Sequence, residues 1–400
     1  MNSSIEKIGY TTKEKFKIYI IIFSLFFYGL GSALISYPIV VIGFILTLLF
    51  NNYKNISYVQ IINFLLLFLF LLYFYFVSNY FFDERGFDDK LLPAYKFFPL
   101  IINPCILYYF SQIIPIKDKS SFLKFLFFAF LSPIILNIIS IFYTLYTKGI
   151  FKMLIEREVI NIVTGIEMVA TFSGAILLLG ICYFCFFFYK TNYPYKVFSA
   201  LIVILSFLCS ALIQTRTPVF FGSIVLTSIL IFRFVFASAE YKLKYIFVFI
   251  FGLLGLTVYL APRINSLIEA ASFFFYRFFQ VGLSTPRYDS WQISLVGLAD
   301  NPFGGMEQVF KYNYAHNFWL DIGNYVGFIP ILAILIFQIN NSIGIKKIYS
   351  KDKDSFIFLF SLVSAFGFAM LMEPILQAFA FYFSFSVFVM GVIKKYSSSI

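Results

Sequence analysis

Long apolar runs separated by short polar segments dominate the chain. A helix needs about 20 apolar residues to cross a bilayer, because each residue advances about 1.5 Å and the hydrocarbon core is about 30 Å thick. By this criterion the sequence predicts an all-α polytopic membrane protein with twelve spans. The predicted spans are residues 17–33, 36–50, 59–78, 96–115, 122–146, 166–189, 196–213, 217–236, 244–261, 317–338, 355–371 and 375–393.

Two pairs of these spans have weak boundaries. The first pair is divided only by Gly31, Ser32 and Tyr37-Pro38, and the last pair only by Glu373-Pro374. Each pair is short for two spans and long for one. Helix breaks at these positions therefore decide the number of spans.

Composition agrees with this pattern. The chain is 61% hydrophobic and only 12% charged, with a mean hydropathy of +0.89, and such a chain cannot cover a soluble surface. Its net charge of +11 would suit a nucleic-acid-binding domain if the chain were soluble. In a chain this apolar we attribute the charge to anchoring of the loops, and we expect no nucleic-acid partner.

The cysteines and the N-terminus add little chemistry. Cys105, Cys182, Cys185 and Cys209 all lie in apolar runs, so a secreted disulfide framework is not expected. We interpret Cys182 and Cys185 as two small apolar residues on one helix face. The first apolar run has no small-residue cleavage site after it, so we expect it to stay as an anchor.

Charge distribution predicts the orientation of the spans. With both termini in the cytoplasm, 19 of the 30 cationic residues but only 6 of the 19 acidic residues fall on the inner side. Helical membrane proteins carry this excess of lysine and arginine in their cytoplasmic loops. We therefore predict cytoplasmic termini.

The arginines are not distributed across the membrane as the lysines are. Six of the seven fall on the predicted outer side: Arg85, Arg157, Arg216, Arg263, Arg277 and Arg287. The planar guanidinium offers a fork of donors that fits phosphate or carboxylate. This distribution suggests an anionic outer ligand, although we expect ordinary loop solvation for Arg85 and Arg157.

One predicted loop is much longer than the others. Residues 262–316 separate spans 1–9, within 1–261, from spans 10–12, within 317–400, and long structured loops usually carry function. The stretch Ile264–Val281 is apolar and is expected to anchor in the outer interface, with Arg277 as its one site candidate.

The second half of this loop predicts a helix. Ser284-Thr285-Pro286 supplies a cap and a proline at the first position, and the helix should end before Asn301-Pro302. Asp289 in the first turn suits the helix dipole. Arg287 and Trp291, at a spacing of four, are predicted to share a face with Leu295.

Two further helix starts fall on the same predicted side. One is Arg216-Thr217-Pro218, interpreted as a cap with proline at the first position, and the other is His316-Asn317, with Asn317 as cap. Helix N-termini present free backbone N–H groups that favour phosphate. We predict an anion cage formed by Arg216, Arg287 and His316.

His316 is the only histidine of the chain. A lone histidine is more often structural than catalytic, but this one lies at the mouth of a span, next to a structured loop. The surrounding positive charge is expected to keep its imidazole neutral, and a neutral imidazole accepts a proton from a hydroxyl group.

Motifs for a cofactor are missing from the sequence. We interpret the acidic loop at Asp83, Glu84, Asp88 and Asp89 as solvated, because that loop has no metal-ligand spacing. The sequence has neither a phosphate-binding glycine loop for nucleotides nor a serine nucleophile elbow. We therefore expect no metal and no other cofactor, and the substrate itself must supply the energy.

Three stretches of the chain resemble one family, the O-antigen polymerase and O-antigen ligase superfamily of bacterial membrane glycosyltransferases. Residues 314–320, Tyr-Ala-His-Asn-Phe-Trp-Leu, followed by Gly327, resemble its His-Asn…Gly pattern. The other matches are Gln214-Thr215-Arg216 and the series Arg287, Trp291, Asn301-Pro302 and Gly304-Gly305. The resemblance covers residues 214–337, and the chain departs from the pattern at Thr215, where serine is usual, and at Pro330, where a small residue is usual.

The resemblance implies a GT-C-like fold in the bacterial inner membrane and an active site facing the periplasm. The implied partners are an undecaprenyl-diphosphate-linked oligosaccharide, the membrane lipid and a chain-length regulator. Arg216, Arg287 and, more weakly, Arg277 would hold the diphosphate, and His316 would assist the acceptor hydroxyl. Asn317 and Asp289 would support the site, and Trp291, Tyr288 and Tyr314 would contact glycan unless they are simply interfacial aromatics.

Alternatives remain open at the level of the sequence. A polymerase and a ligase differ in their acceptor, another lipid-linked repeat unit or lipid A-core, and we favour the polymerase because the outer loop is compact and the composition resembles that of AT-rich polymerase clusters. A repeat-unit flippase would also have many spans. Transporters, however, usually have repeated halves and midplane sites, whereas this chain shows no internal repeat and its candidate residues gather at outer span ends. A non-enzymatic membrane scaffold is the least favoured interpretation.

Overall fold

The computed structural model describes residues 10–50, 57–84, 96–189, 193–240, 242, 286–305, 315–373, 375–378 and 380–400. Nearly all of these residues are helical. The helices are α1 (Thr12–Tyr28), α2 (Ala33–Leu49), α3 (Tyr58–Glu84), α4 (Asn103–Ile113, preceded by a π-helical turn at Phe98–Ile102), α5 (Lys119–Ala129), α6 (Leu131–Glu156), α7 (Ala170–Cys182), α8 (Phe184–Phe188), α9 (Tyr193–Leu212), α10 (Arg216–Phe236), α11 (Pro286–Asp300), α12 (Phe318–Val326), α13 (Phe328–Ser342), α14 (Ile345–Lys351), α15 (Lys353–Met372), α16 (Ile375–Ala378) and α17 (Ala380–Ser399). Strands β1 (Glu158–Ile160) and β2 (Glu167–Val169) form one antiparallel hairpin.

Many of these helices have the length and composition of membrane spans. Among the described residues, seven helical segments are long and apolar enough to cross a bilayer. They are Tyr58–Asn79, Lys119–Ile150, Ala170–Phe188, Tyr193–Leu212, Arg216–Phe236, Phe328–Lys351 and Lys353–Met372, and Leu34–Leu49 and Phe98–Ile113 are shorter apolar helices. The predicted ninth span, 244–261, lies outside the described residues. The chain is therefore an all-α membrane protein, and the number of twelve spans stays a prediction.

Both weak pairs of spans are divided as the sequence predicts. Helix α1 ends at Tyr28, and α15 ends at Met372 with Glu373 in an extended conformation. Pro38 was predicted to contribute to the first break but lies inside α2. Pro38 is the sixth residue of α2, so it removes one intrahelical hydrogen bond, to the carbonyl of Leu34, without ending the helix.

The predicted tenth span, 317–338, is two helices and not one. Helices α12 and α13 meet at Gly327, whose φ of 84° lies in the left-handed region. Glycine adopts this conformation without steric cost, so the chain can turn here. Hydropathy does not reveal the helix break. Helix α12 has nine residues and is too short to cross a bilayer.

The chain forms two compact units. One comprises Met1–Leu136, Ser290–Leu359 and Met370–Ile400, and in it the largely buried α17 packs along α4. The other comprises Asn137–Asp289 and Phe360–Ala369, and in it α7 packs against both α9 and α10. Helix α7 presents small and apolar residues on all sides, which suits a helix that is buried all round.

In the first unit, Asp352 joins three helices. It caps α15, its Oδ1 lies 2.6 Å from Lys119 Nζ of α5, and its Oδ2 accepts hydrogen bonds from Tyr396 of α17 and from Ser355. The Tyr396 ring stacks on Phe122 at 4.1 Å. Burial raises the pKa of Asp352, but the hydrogen bonds from Lys119, Ser355 and Tyr396 outweigh it and hold that pKa below its ordinary value. These contacts fix the ends of the helices that the charge pattern assigns to the cytoplasmic side.

Candidate active site

His316 adopts a left-handed backbone conformation immediately before α12. Its φ is 54°, a region that few residues other than glycine occupy. Asn317 then caps the helix as predicted, since its Oδ1 accepts hydrogen bonds from the backbone N–H groups of Trp319 at 3.0 Å and Leu320 at 3.2 Å. The cap and the turn together fix the direction in which the histidine leaves the backbone.

A buried carboxylate holds this turn from inside. Asp321 is completely buried in the first turn of α12. One of its oxygens accepts the N–H of Ala315 at 2.7 Å and the other accepts the N–H of Asn317 at 3.1 Å. The residues on both sides of His316 thus donate their backbone N–H groups to Asp321, and these two hydrogen bonds hold the strained turn in place.

A second buried carboxylate faces the imidazole. His316 Nδ1 lies 4.0 Å from Glu373 Oε2, and the side chains are 25% and 1% exposed, respectively. Asn317 Nδ2 also donates to the carbonyl of Leu371 at 3.1 Å, which joins the start of α12 to the end of α15. The imidazole thus has a buried carboxyl group near one nitrogen and is itself one quarter exposed. An ionised carboxylate at this distance stabilises a protonated imidazole.

Helix α11 packs against this turn and against α12. Trp291 Nε1 donates to the carbonyl of Ala315 at 2.9 Å, and Asn324 Nδ2 donates to Ser294 Oγ at 3.0 Å. The face of α11 that is buried contains Ser290 and Ser294, whereas Leu295, predicted to share a face with Trp291, is exposed. This hydrogen bond fixes the Trp291 indole ring next to Ala315, the residue that precedes His316.

Two glycine turns lock the end of α11 to the end of α12. Gly304 and Gly327 have φ of 93° and 84°. A Cβ on Gly304 would lie 2.7 Å from the carbonyl carbon of Val326, and a Cβ on Gly327 would lie 2.4 Å from that of Phe303. Phe328 N–H also donates to Pro302 O at 2.8 Å. The stretch Pro302–Gly305 and the His-Asn…Gly stretch that ends at Gly327 are thus in direct backbone contact.

Arg216 belongs to the second unit, where it begins α10. Thr215 is the residue that caps this helix, so the prediction of Thr217 as cap with Pro218 at the first position is wrong by two residues. The Thr215 side chain makes no cap hydrogen bond and instead donates to Ser210 O at 3.5 Å. Gly174 of α7 allows this close packing, since a Cβ there would lie 3.2 Å from Thr215 Cβ.

Arg157 differs from the solvated loop residue that we expected. It is half-buried, its φ is 56°, and its Nη2 donates to the carbonyl of Gln214 at 3.5 Å. Gln214 is also left-handed, with a φ of 51°. These two residues and His316 are the non-glycine residues with positive φ in the described part of the chain. Left-handed residues of this kind are often found at functional sites.

The remaining site candidates fall in two groups. Arg287, Tyr288 and Asp289 form the first turn of α11 as predicted, with Arg287 half-buried and the other two exposed. Arg277 and Tyr314 lie outside the described residues. Arg216 and Arg287 are assigned to the second unit, and His316, Asn317 and Trp291 to the first.

Sequence reasoning missed Glu373 and Asp321. A signal for both exists, because an acidic side chain within or next to an apolar run is costly and usually functional. Asp321 lies four residues after Asn317 in an apolar stretch, and Glu373 separates two apolar runs.

A comparison with models of known protein families and with curated proteins finds no match for this chain.

Proposed function

We propose that this protein is a bacterial inner-membrane glycosyltransferase that polymerises O-antigen, or a related surface polysaccharide, from undecaprenyl-diphosphate-linked repeat units. The proposal includes a GT-C-like arrangement of about twelve spans, cytoplasmic termini and a site facing the periplasm. The observation that carries it is the clamped His316, partly exposed and 4.0 Å from the buried Glu373 carboxylate. The substrate class is supported by the sequence resemblance, whose two stretches at Gly304 and Gly327 are in backbone contact.

In the proposed reaction His316 is the general base. The acceptor hydroxyl gives its proton to the imidazole as its oxygen bonds to the anomeric carbon of the donor. The bond between that carbon and the diphosphate oxygen breaks, and its electron pair leaves with undecaprenyl diphosphate. Glu373 is a positioning residue that stabilises the imidazolium, and its burial strengthens this interaction.

The proposed diphosphate ligands are Arg216, Arg287 and Arg277. Departure of a diphosphate concentrates negative charge on its oxygens, and guanidinium forks stabilise this charge in the transition state. The N-terminus of α10, where the helix dipole places partial positive charge, lies at Arg216. Chemistry of this kind needs only groups that the chain itself supplies.

The other candidates have supporting roles in this proposal. Asn317 orients His316, and Asp289 stabilises the first turn of α11 that carries Arg287. The exposed ring of Tyr288 and the anchored ring of Trp291 offer apolar faces to sugars, and Tyr314 is a third candidate for such stacking.

Extension of purified lipid-linked repeat units by the purified protein in liposomes tests the proposal. We expect His316→Asn to lower the rate by a factor on the order of 10² or more, as loss of a general base does. Asparagine is the suitable replacement because it tolerates positive φ, so the turn is kept while the base is removed.

Arg216 has a matched control at the other end of its own helix. Arg216→Ala should abolish extension, whereas Arg233→Ala removes the same side chain about 26 Å away along α10 and should leave the rate per folded protein nearly unchanged. Equal rates for the wild type and His316→Asn would overturn the site. Transfer to lipid A-core without polymer would instead assign the protein to the ligases.

A further inference from the structure

The β1–β2 hairpin lies along α6 and not beyond its end. Ile160 N–H donates to Thr144 Oγ1 at 2.8 Å, and Ile162 N–H donates to Ser140 Oγ at 3.1 Å. Both acceptors belong to the apolar segment Lys119–Ile150. Ser140 precedes Lys148 by eight residues, so the hairpin tip lies about 12 Å along the helix from Lys148. This places the tip beside the apolar part of a predicted span.

The backbone N–H groups of the tip are all hydrogen-bonded. Each N–H group from Ile160 to Ile166 donates to an acceptor within the protein. Asn161 alone accepts three of these bonds, two at its side-chain oxygen, from Val163 and Thr164, and one at its carbonyl, from Gly165. A loop in water does not need these intramolecular hydrogen bonds, because water accepts hydrogen bonds from its N–H groups. In hydrocarbon each unsatisfied group costs several kcal/mol.

The side chains of the tip are apolar where they are exposed. Ile162, Val163 and Ile166 are 42%, 37% and 66% exposed, and no charged residue lies between Glu158 and Glu167. An exposed apolar surface of this kind at the level of a span suits acyl chains and not water.

Charges begin at the base of the hairpin. Lys148 Nζ lies 2.7 Å from Glu156, 3.5 Å from Glu158 and 2.6 Å from Glu167. The hydrogen bond from Lys148 lowers the pKa of Glu156 and of Glu167, which keeps both ionised at neutral pH. An ionised cluster belongs at the level of the lipid headgroups, so the hairpin runs from a polar base to an apolar tip.

We propose that residues 160–166 insert into the bilayer leaflet around the part of α6 that precedes its kink at Gly149, and contact the acyl chains of that leaflet. Ser140 and Thr144, both fully buried, supply the hydroxyl acceptors that such a re-entrant segment needs. The inference rests on the hairpin alone and is independent of the proposed function.

Nitroxide labels test the depth of the tip. Val163→Cys and Ile166→Cys would be labelled in the full-length protein in phospholipid vesicles. Lys152→Cys is the matched polar position, because Lys152 Nζ lies 3.5 Å from Glu156 of the charged cluster. The native cysteines are all buried, so the unsubstituted chain serves as the control for background labelling. We expect collisions with oxygen to exceed collisions with a water-soluble nickel chelate at both tip positions, and the reverse order at position 152.

Two results would overturn the insertion. Nickel collisions that exceed oxygen collisions at the tip would show that the hairpin faces an aqueous cavity, and low accessibility to both reagents would show that protein covers it. If a labelled variant does not fold, a tryptophan variant provides a second measurement. Ile166→Trp keeps the site apolar, and its added fluorescence should be quenched by brominated phospholipids, whereas absence of quenching would also contradict the proposal.

Discussion

His316 sits in a turn that costs free energy. A left-handed conformation in a non-glycine residue costs on the order of 1–3 kcal/mol, and it persists here because Asn317 and Asp321 bind the backbone on both sides. The helix start and its cap were predictable, since both depend on neighbours in sequence. Glu373 was not, because it lies 57 positions away and only tertiary packing brings it to the histidine.

Glu373→Gln tests the role of this carboxylate. We expect the rate of glycan transfer to fall and the acidic limb of its pH profile to move to lower pH. The reason is that a neutral amide no longer stabilises the imidazolium, so His316 loses its proton at lower pH. The measurement is the transfer rate of the purified protein as a function of pH.

Asp300→Asn is the matched control, because Asp300 is an exposed acid at the end of α11. Its profile should coincide with that of the wild type. If Glu373→Gln lowers the rate but leaves the pH profile where it is in the wild type, Glu373 contributes only to packing and the proposed role is contradicted.

Among the elements, the corner formed by α11, α12 and α13 depends on contact between glycines. Gly304-Gly305 and Gly327 belong to the stretches that resemble the family, but a single span was predicted through 317–338. Hydropathy could not show the break, because residues on both sides of Gly327 are apolar. The contact between Gly304 and Gly327 depends on backbone packing, which leaves no local signal in the sequence.

Alanine substitutions test this corner. Gly304→Ala and Gly327→Ala each force a left-handed alanine and place its Cβ against backbone atoms. We expect each to destabilise the fold by roughly 2–4 kcal/mol, the sum of conformational strain and overpacking. The midpoint of thermal unfolding in detergent should fall accordingly.

Gly367→Ala provides the comparison, since Gly367 lies within α15 and a Cβ there would meet nothing within 4 Å. That variant should be as stable as the wild type, or more stable by about 0.5–1 kcal/mol. Unfolding midpoints for the Gly304 and Gly327 variants equal to that of Gly367→Ala would contradict the interlocked corner.

At the scale of the whole molecule, run length and composition were enough to predict a helical membrane protein. They act on every residue and need no knowledge of packing. The hairpin was not predicted, because two strands of three residues carry too little alternation to distinguish them from a loop. Arg157 was taken for a solvated residue because its hydrogen bond to Gln214, 57 positions away, depends on tertiary packing.

The banding pattern of surface lipopolysaccharide tests the central claim most directly. A strain that lacks the protein would be complemented with the wild type or with His316→Asn at equal membrane levels. We predict a single repeat unit on the core in the null strain, a full ladder with the wild type, and no ladder with His316→Asn. A full ladder with His316→Asn would contradict the site, and a bare core in the null strain would contradict the polymerase assignment.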